Sequence, residues 1–193
     1  MPAYSARYEA ALTFAAQAHR VQVRKGTDIP YITHPVHVAT LLLRYGYPDD
    51  VLIAGLLHDV LEDAEDDRST LQAAIATQFG SEVERLVVAV SKPSRAIGWE
   101  AGRAAMIEQI NTGGPLVAAL KAADTVHNIR SIIAAIQHEG ATVWGRFKRG
   151  PAPTLAYYRQ VRTAVGKWIN WHPLCHELET ALQELEQLQA GQL

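Results

Sequence analysis

The segment VLIAGLLHDVLED, residues 51–63, places one imidazole and three carboxylates directly behind an apolar run. The pattern predicts a single helix over this segment, in which positions three and four apart share a face. His58 would then lie beside Glu62, and Asp59 beside Glu62 and Asp63. Carboxylates held this close repel each other and raise each other's pKa, a conflict that a divalent cation removes. The segment therefore predicts part of a metal site, with carboxylates to spare for proton transfer.

Two further candidate ligands lie in other segments. His34 stands at the predicted start of a helix, and Asp124 lies inside an apolar helix predicted over residues 116–139. An ionised carboxylate in such a run is costly to bury unless it is paired or bound to a metal. Each residue alone has an ordinary interpretation, as a cap, a packed side chain or an ion-pair partner. Together with His58 and Asp59 they predict a site of two imidazoles and two carboxylates, which suits Mn²⁺, Fe²⁺ or Zn²⁺ and suits Mg²⁺ less well.

Composition indicates an ordinary globular protein that binds neither nucleic acid nor membrane. The 193 residues suffice for one domain with a substantial core, and 48% of them are hydrophobic. A net charge of −2 argues against general nucleic-acid binding, which favours clearly basic domains. No apolar run approaches the ~20 residues needed to cross a bilayer, and the N-terminus lacks a signal-peptide pattern. The single cysteine, Cys175, suits a reducing compartment, so we expect a cytoplasmic protein.

Apolar residues recur at helical spacing along the whole chain, interrupted by glycine and proline. This pattern predicts eight or nine helices and no strand. The predicted segments are residues 5–20, 36–45, 51–63, 70–79, 82–90, 99–110, 116–139, 154–171 and 173–189. We therefore expect an all-α fold in which residues 1–193 form a single domain.

Three motifs surround the candidate ligands. Residues 19–35 read HRVQVRKGTDIPYITHP, residues 58–63 read HDVLED, and residues 121–128 read KAADTVHN. They resemble the HxGQxRxxGxPYIxHP, HDxxED and KLADRLHN motifs of the hydrolase domain of the RelA/SpoT alarmone enzymes, a group of HD-domain metal-dependent phosphohydrolases. Three positions depart from these motifs, namely Val21, Ala122 and Thr125. Because no synthetase segment follows, the chain most resembles the stand-alone small alarmone hydrolases, whose fold is a single HD-domain helical bundle.

The resemblance implies an activity and its ligands. The expected reaction is metal-dependent hydrolysis of the 3′-pyrophosphate of guanosine alarmones, which converts (p)ppGpp to GDP or GTP plus pyrophosphate, with adenosine (p)ppApp as a close variant. The expected ion is Mn²⁺, with Fe²⁺, Zn²⁺ and Mg²⁺ as alternatives, and a homodimer is a possible assembly. Two other functions stay open: a phosphohydrolase acting on another phosphorylated nucleotide such as NADPH, and a nucleotide-binding sensor without turnover.

Candidate catalytic residues lie one helical turn from the ligands. Hydrolysis needs an activated water, and Glu62 and Asp63 are expected to orient or deprotonate it, as the resemblance also implies. The alternative for both is a solvated helix end. Asn128 shares a helix face with Asp124 and is expected to hold the water or a substrate oxygen. Its alternative is a buried amide that ties two helices together.

A polyanionic substrate also requires cationic residues. The resemblance assigns nucleotide binding to Arg24 and Lys25, in the loop before His34. Arg103 is favoured because a guanidinium binds phosphate through two nitrogens or stacks on a base. Lys121 and Tyr157 complete the expected substrate contacts, with solvated surface and core packing as their alternatives. Two more histidines receive no ligand role: His37 lacks a partner pattern, and His127 is expected to support the site or pack in the core.

Overall fold

The computed structural model describes residues 5–62, 67–92, 98–147 and 149–191, and these residues form nine α-helices, one 3₁₀ helix and no strand. The helices are α1 (Ala6–Ala18), α2 (Thr33–Arg44), α3 (Asp49–Leu57), α4 (Arg68–Phe79), α5 (Ser81–Val90), α6 (Trp99–Gly113), α7 (Pro115–Glu139), α8 (Pro151–Ile169) and α9 (Pro173–Ala190). The 3₁₀ helix spans Gly140–Arg146. The expected all-α fold is confirmed. None of these helices is long and apolar enough to span a membrane.

Helix α7 forms the centre of the bundle. It packs against α2, α8 and α9, and its buried side chains extend from Val117 to Ile136. Its start is set by Gly114, whose positive φ of 85° favours glycine, and by Pro115, whose fixed φ suits the first helical turn. Burial of each large aliphatic side chain contributes about 1.5–3 kcal/mol. A central helix held this way gives Asp124, near its middle, a fixed position.

Helix α3 is buried along its whole apolar run, and it packs against α1, α2 and α5. Gly55 allows α2 to approach closely, because a Cβ at this position would lie 2.9 Å from Cδ1 of Leu42. The first turn of α2 and the end of α3 therefore meet, and both face α7. This arrangement brings His34, His58 and Asp59 to one place.

The prediction of one helix over residues 51–63 is wrong at its C-terminal end, because α3 ends at Leu57. A continuing helix would bond the Glu62 amide to the His58 carbonyl. The Glu62 amide instead donates to the Asp59 carbonyl at 3.0 Å, and the hydroxyl of Ser91, which donates to the Val87 carbonyl at 2.7 Å, lies 3.3 Å from the His58 carbonyl oxygen. Residues 58–62 therefore form tight turns, and the presumed helical stacking of Glu62 on His58 does not occur.

Candidate metal centre

Four side chains from three segments converge on one buried point. Nε2 of His34 lies 3.3 Å from Oδ2 of Asp59 and 3.3 Å from Oδ1 of Asp124. Nε2 of His58 lies 3.2 Å from Nε2 of His34, 3.2 Å from Oδ2 of Asp59 and 3.9 Å from Oδ1 of Asp124. The ligand atoms of His34, His58 and Asp59 all lie within 4.8 Å of one another, so these three residues could hold a metal ion. The carboxylate of Asp124 borders the same point.

The charges of this cluster favour anionic carboxylates. Burial alone would raise the pKa of Asp124, but the Lys121 ammonium, 2.7 Å from its Oδ2, and the two histidines hold that pKa well below the usual range. Burial opposes ionisation of Asp59 as well, and His58 and His34 again lower its pKa. Burial also disfavours protonation of His58, yet the carboxylates outweigh it and raise its pKa to about 9. The carboxylates are therefore in the form that a cation binds.

The two imidazoles are oriented by hydrogen bonds on the side away from the cluster. Nδ1 of His58 bonds the Gly55 carbonyl at 2.7 Å. Nδ1 of His34 lies 2.7 Å from Nδ1 of His127, whose ring stacks on His37 at a centroid distance of 4.6 Å. Burial and neighbouring positive charges lower the pKa of His127 to about 3, so this ring is neutral and able to accept a hydrogen bond. Both ligand rings therefore direct Nε2 inward, which is the arrangement that metal-binding histidines need.

The two carboxylates are oriented in the same way. The Tyr31 hydroxyl donates to Oδ2 of Asp59 at 2.6 Å, and Nδ2 of Asn128 donates to Oδ1 of Asp124 at 2.5 Å. Arg24 in turn donates to Oδ1 of Asn128 at 3.1 Å. Tyr31 and Asn128 thus limit how far either carboxylate can rotate.

Of the two predicted catalytic residues, the structure describes Glu62. Glu62 keeps a side-chain exposure of 16% and forms an ion pair with Lys92, whose backbone amide also donates to Glu62 at 3.3 Å. Asp63 lies outside the described residues. Asn128 bonds a candidate ligand, as given above, so it occupies the cluster itself. The proton-transfer role of Glu62 and Asp63 stays a prediction.

The predicted substrate residues occupy three different environments. Arg24 lies over the Tyr31 ring at 5.5 Å and reaches the cluster through Asn128, and Lys25 lies over the Phe147 ring at 5.8 Å. The guanidinium of Arg103 lies 3.6 Å above the Tyr157 ring. Tyr157 is 7% exposed, so its ring supports Arg103 from below. The ammonium of Lys121 is occupied by Asp124 and buried.

Comparison with known proteins decides the family. The HD domain profile matches residues 11–150, which is most of the chain. This chain belongs to the HD domain family. Human MESH1, named a guanosine-3′,5′-bis(diphosphate) 3′-pyrophosphohydrolase, is 34% identical over 63% of this chain and 67% of its own length. A solved structure of a metazoan ortholog of SpoT, described as hydrolysing ppGpp, aligns over 100% of both chains at 26% identity with a TM-score of 0.76.

Parts of much longer proteins are also similar to this chain. A probable GTP pyrophosphokinase of Mycobacterium leprae is 38% identical over 63% of this chain. The chain spans only 14–18% of the length of the bacterial relatives that it matches at 33–38% identity. The similarity to those relatives therefore involves only a small part of each of them.

Two supporting contacts of this HD domain were not predicted from sequence. Tyr31 belongs to the PYITHP segment, but its hydroxyl bonds Asp59, which is 28 residues away. His127 was not connected to His34, which lies 93 residues before it. The position of His127 three residues after Asp124, on a helix that carries a ligand, was the available signal.

Proposed function

We propose that this HD domain hydrolyses the 3′-pyrophosphate of a guanosine alarmone and releases pyrophosphate, with Mn²⁺ as its ion. The observation that carries the proposal is the buried cluster of two imidazoles and two carboxylates, within a chain similar to proteins named as 3′-pyrophosphohydrolases of this nucleotide. The proposal includes residues 1–193 acting as one domain in the cytoplasm, on a nucleotide substrate, as a monomer or a homodimer.

The donor set fits a divalent cation that binds both nitrogen and oxygen ligands. His34, His58, Asp59 and Asp124 would hold the ion, which when bound lowers the pKa of water and withdraws charge from a phosphoryl oxygen. Neutral His127 and the Gly55 carbonyl keep both imidazoles in the orientation described above. Tyr31 and Asn128 do the same for the carboxylates.

The remaining residues of the site act on water and substrate. Glu62 is partly exposed beside the cluster and accepts a proton from the attacking water, while Lys92 fixes its carboxylate. Asp63 is proposed to assist at the same position. Arg24 and Lys25 bind the nucleotide, and the aromatic rings beneath them hold the two cations in place.

A product assay tests this proposal. Purified protein with Mn²⁺ is incubated with ppGpp, ppApp and NADPH, and released pyrophosphate and phosphate are measured separately. Pyrophosphate from ppGpp supports the proposal, and pyrophosphate from ppApp alone changes the base that is recognised. Phosphate as the sole product, from NADPH for example, would replace it with a nucleotide phosphatase. Tight binding of ppGpp without product would indicate a sensor.

Variants of the ligands test the metal assignment. Asp59→Ala and Asp124→Ala are expected to lose bound Mn²⁺ and activity together. Asp50→Ala is the matched control, because Asp50 is a carboxylate that pairs with Arg7 at the surface. Metal content is measured on each protein after gel filtration. An Asp124→Ala protein that is free of metal and still active would contradict the assignment.

A further inference from the structure

Arg68, the first residue of α4, joins the turn that follows the candidate ligands to the residues that follow α5. One of its guanidinium nitrogens, Nη1, donates to the Leu61 carbonyl at 3.2 Å and to the Lys92 carbonyl at 3.0 Å. Leu61 directly precedes Glu62, and Lys92 is the second residue after the end of α5. A single side chain therefore fixes how far apart these two segments lie.

Lys92 binds the Glu62 carboxylate through two groups. Its backbone amide donates to Oε1 at 3.3 Å, and its ammonium pairs with Oε2. The Lys92 amide belongs to the same planar peptide group as the Ser91 carbonyl, which accepts a hydrogen bond from Nε2 of Gln109 at 3.2 Å. The amide that holds Glu62 is therefore oriented by a side chain of α6, while Arg68 holds the carbonyl of the same residue.

The main chain of Glu62 is held in a similar way. Its amide donates to the Asp59 carbonyl at 3.0 Å, and the Leu61 carbonyl of the same peptide group accepts from Arg68. The amide and the carbonyl of a trans peptide point to opposite sides, so two such partners fix the plane of the group. Arg68 therefore holds both the peptide that leads into Glu62 and the residue that binds its carboxylate.

A residue that activates water needs a well-defined position. A general base must lie within hydrogen-bond reach of the proton that it abstracts, and misplacement by about 1 Å costs roughly 10²-fold in rate. Glu62 lies in a turn beyond the end of α3, not on a helix. Its position therefore depends on contacts with other segments, such as those made by Arg68 and Lys92.

We propose that Arg68 is a positioning residue, which holds Glu62 within reach of the attacking water. Its two hydrogen bonds go to main-chain carbonyls, so it acts through Glu62 and not through the ion or the substrate. This inference rests on the proposed function, in which Glu62 accepts a proton from that water. It gives the start of α4 a role in the chemical step, and it predicts an effect on kcat without one on KM or on metal binding.

Separate measurements of turnover and binding test this role. Arg68→Met is expected to lower kcat for ppGpp about 10- to 100-fold, while KM and the dissociation constant for manganese stay unchanged. Arg68→Lys is expected to recover most of kcat, because one nitrogen makes both bonds and an ammonium can replace it. Arg7→Met is the matched control, since Arg7 donates to the Phe79 carbonyl at the opposite end of α4 at 2.6 Å, and it should leave kcat unchanged. An unchanged kcat in a folded Arg68→Met protein would overturn the inference.

A double variant separates positioning of Glu62 from general support of the fold. The effects of two residues that act through one another do not add. In a Glu62→Gln background, Arg68→Met is therefore expected to cause little further fall in kcat, measured with enzyme in excess over substrate. A further fall as large as that in the wild-type background, or a raised KM at unchanged kcat, would overturn the inference. If the wild-type protein turns over only another nucleotide, the proposed function is wrong, and the same comparison on that nucleotide decides the role of Arg68. A wild-type protein without any turnover would refute both.

Discussion

His127 offers the sharpest test of how the metal centre is built. Nδ1 of His34 lies 2.7 Å from Nδ1 of His127, and His34 is only 1% exposed. In His127→Phe the aromatic ring remains to pack against its neighbours, but the acceptor for His34 disappears. A buried donor without a partner costs about 1–3 kcal/mol, which corresponds to roughly 5- to 150-fold in affinity. Loss of comparable outer hydrogen bonds in metalloproteins weakens metal binding about 10- to 100-fold.

Manganese affinity is the quantity to measure, by competition with a chelator of known affinity. We expect the dissociation constant of His127→Phe to rise about 10- to 100-fold. His127→Gln, whose side-chain oxygen accepts a hydrogen bond, is expected to recover part of that loss. His37→Phe is the control, because the His37 ring stacks on His127 while its Nδ1 bonds the Thr33 carbonyl. Unchanged affinity in a folded His127→Phe protein would refute the reasoning.

Three other perturbations examine separate parts of the site. Glu62→Gln is expected to keep bound manganese and lower kcat about 10²- to 10⁴-fold, measured by pyrophosphate release; Lys92→Met, which only frees the Glu62 carboxylate, should have a much smaller effect. When free manganese is held at 100 times its dissociation constant, its removal should lower the free energy of unfolding by about 2.7 kcal/mol. The melting temperature should then fall by about 5–10 °C. Lys121→Met leaves Asp124 buried without its ammonium partner and should lower the free energy of unfolding by about 3–5 kcal/mol. The measurement is urea denaturation of the metal-free protein. A loss below about 1 kcal/mol would show that the pair does not stabilise the fold.

The candidate ligands could be predicted from the sequence because polar side chains of this kind are unusual in such apolar surroundings. A carboxylate in the middle of the apolar helix α7 needs a partner. An adjacent His-Asp pair alone is common, and it became informative only together with His34 and Asp124. Helix positions followed from periodicity together with glycine and proline. Most helix ends agree with the expectation to within a few residues, as for the helix predicted over residues 116–139 and observed as Pro115–Glu139.

Contacts between distant segments could not be derived in this way. The bond from Arg24 to Asn128 joins residues 104 positions apart, and no local pattern marks either as the partner of the other. The end of α3 was misplaced for the same reason. Residues 51–63 contain no glycine or proline after position 55, so their local preference favours a continuing helix. Past the observed end of the helix, the His58 carbonyl lies 3.3 Å from the hydroxyl of Ser91, a residue more than thirty positions away.

Lys121 was expected to contact the substrate, but in the structure it pairs with a residue of the protein itself. Its position one helical turn before Asp124 placed it among the expected substrate contacts, because a lysine beside a phosphate site is a reasonable ligand for an anion. In the structure its side chain is 10% exposed, and its ammonium lies 2.7 Å from Asp124, a candidate metal ligand. A substrate phosphate would have to compete with that carboxylate for a buried cation. We therefore expect Lys121 to act on the centre by keeping Asp124 ionised. Arg24 and Arg103, whose guanidinium groups lie over aromatic rings, are the cations that we expect to meet the nucleotide.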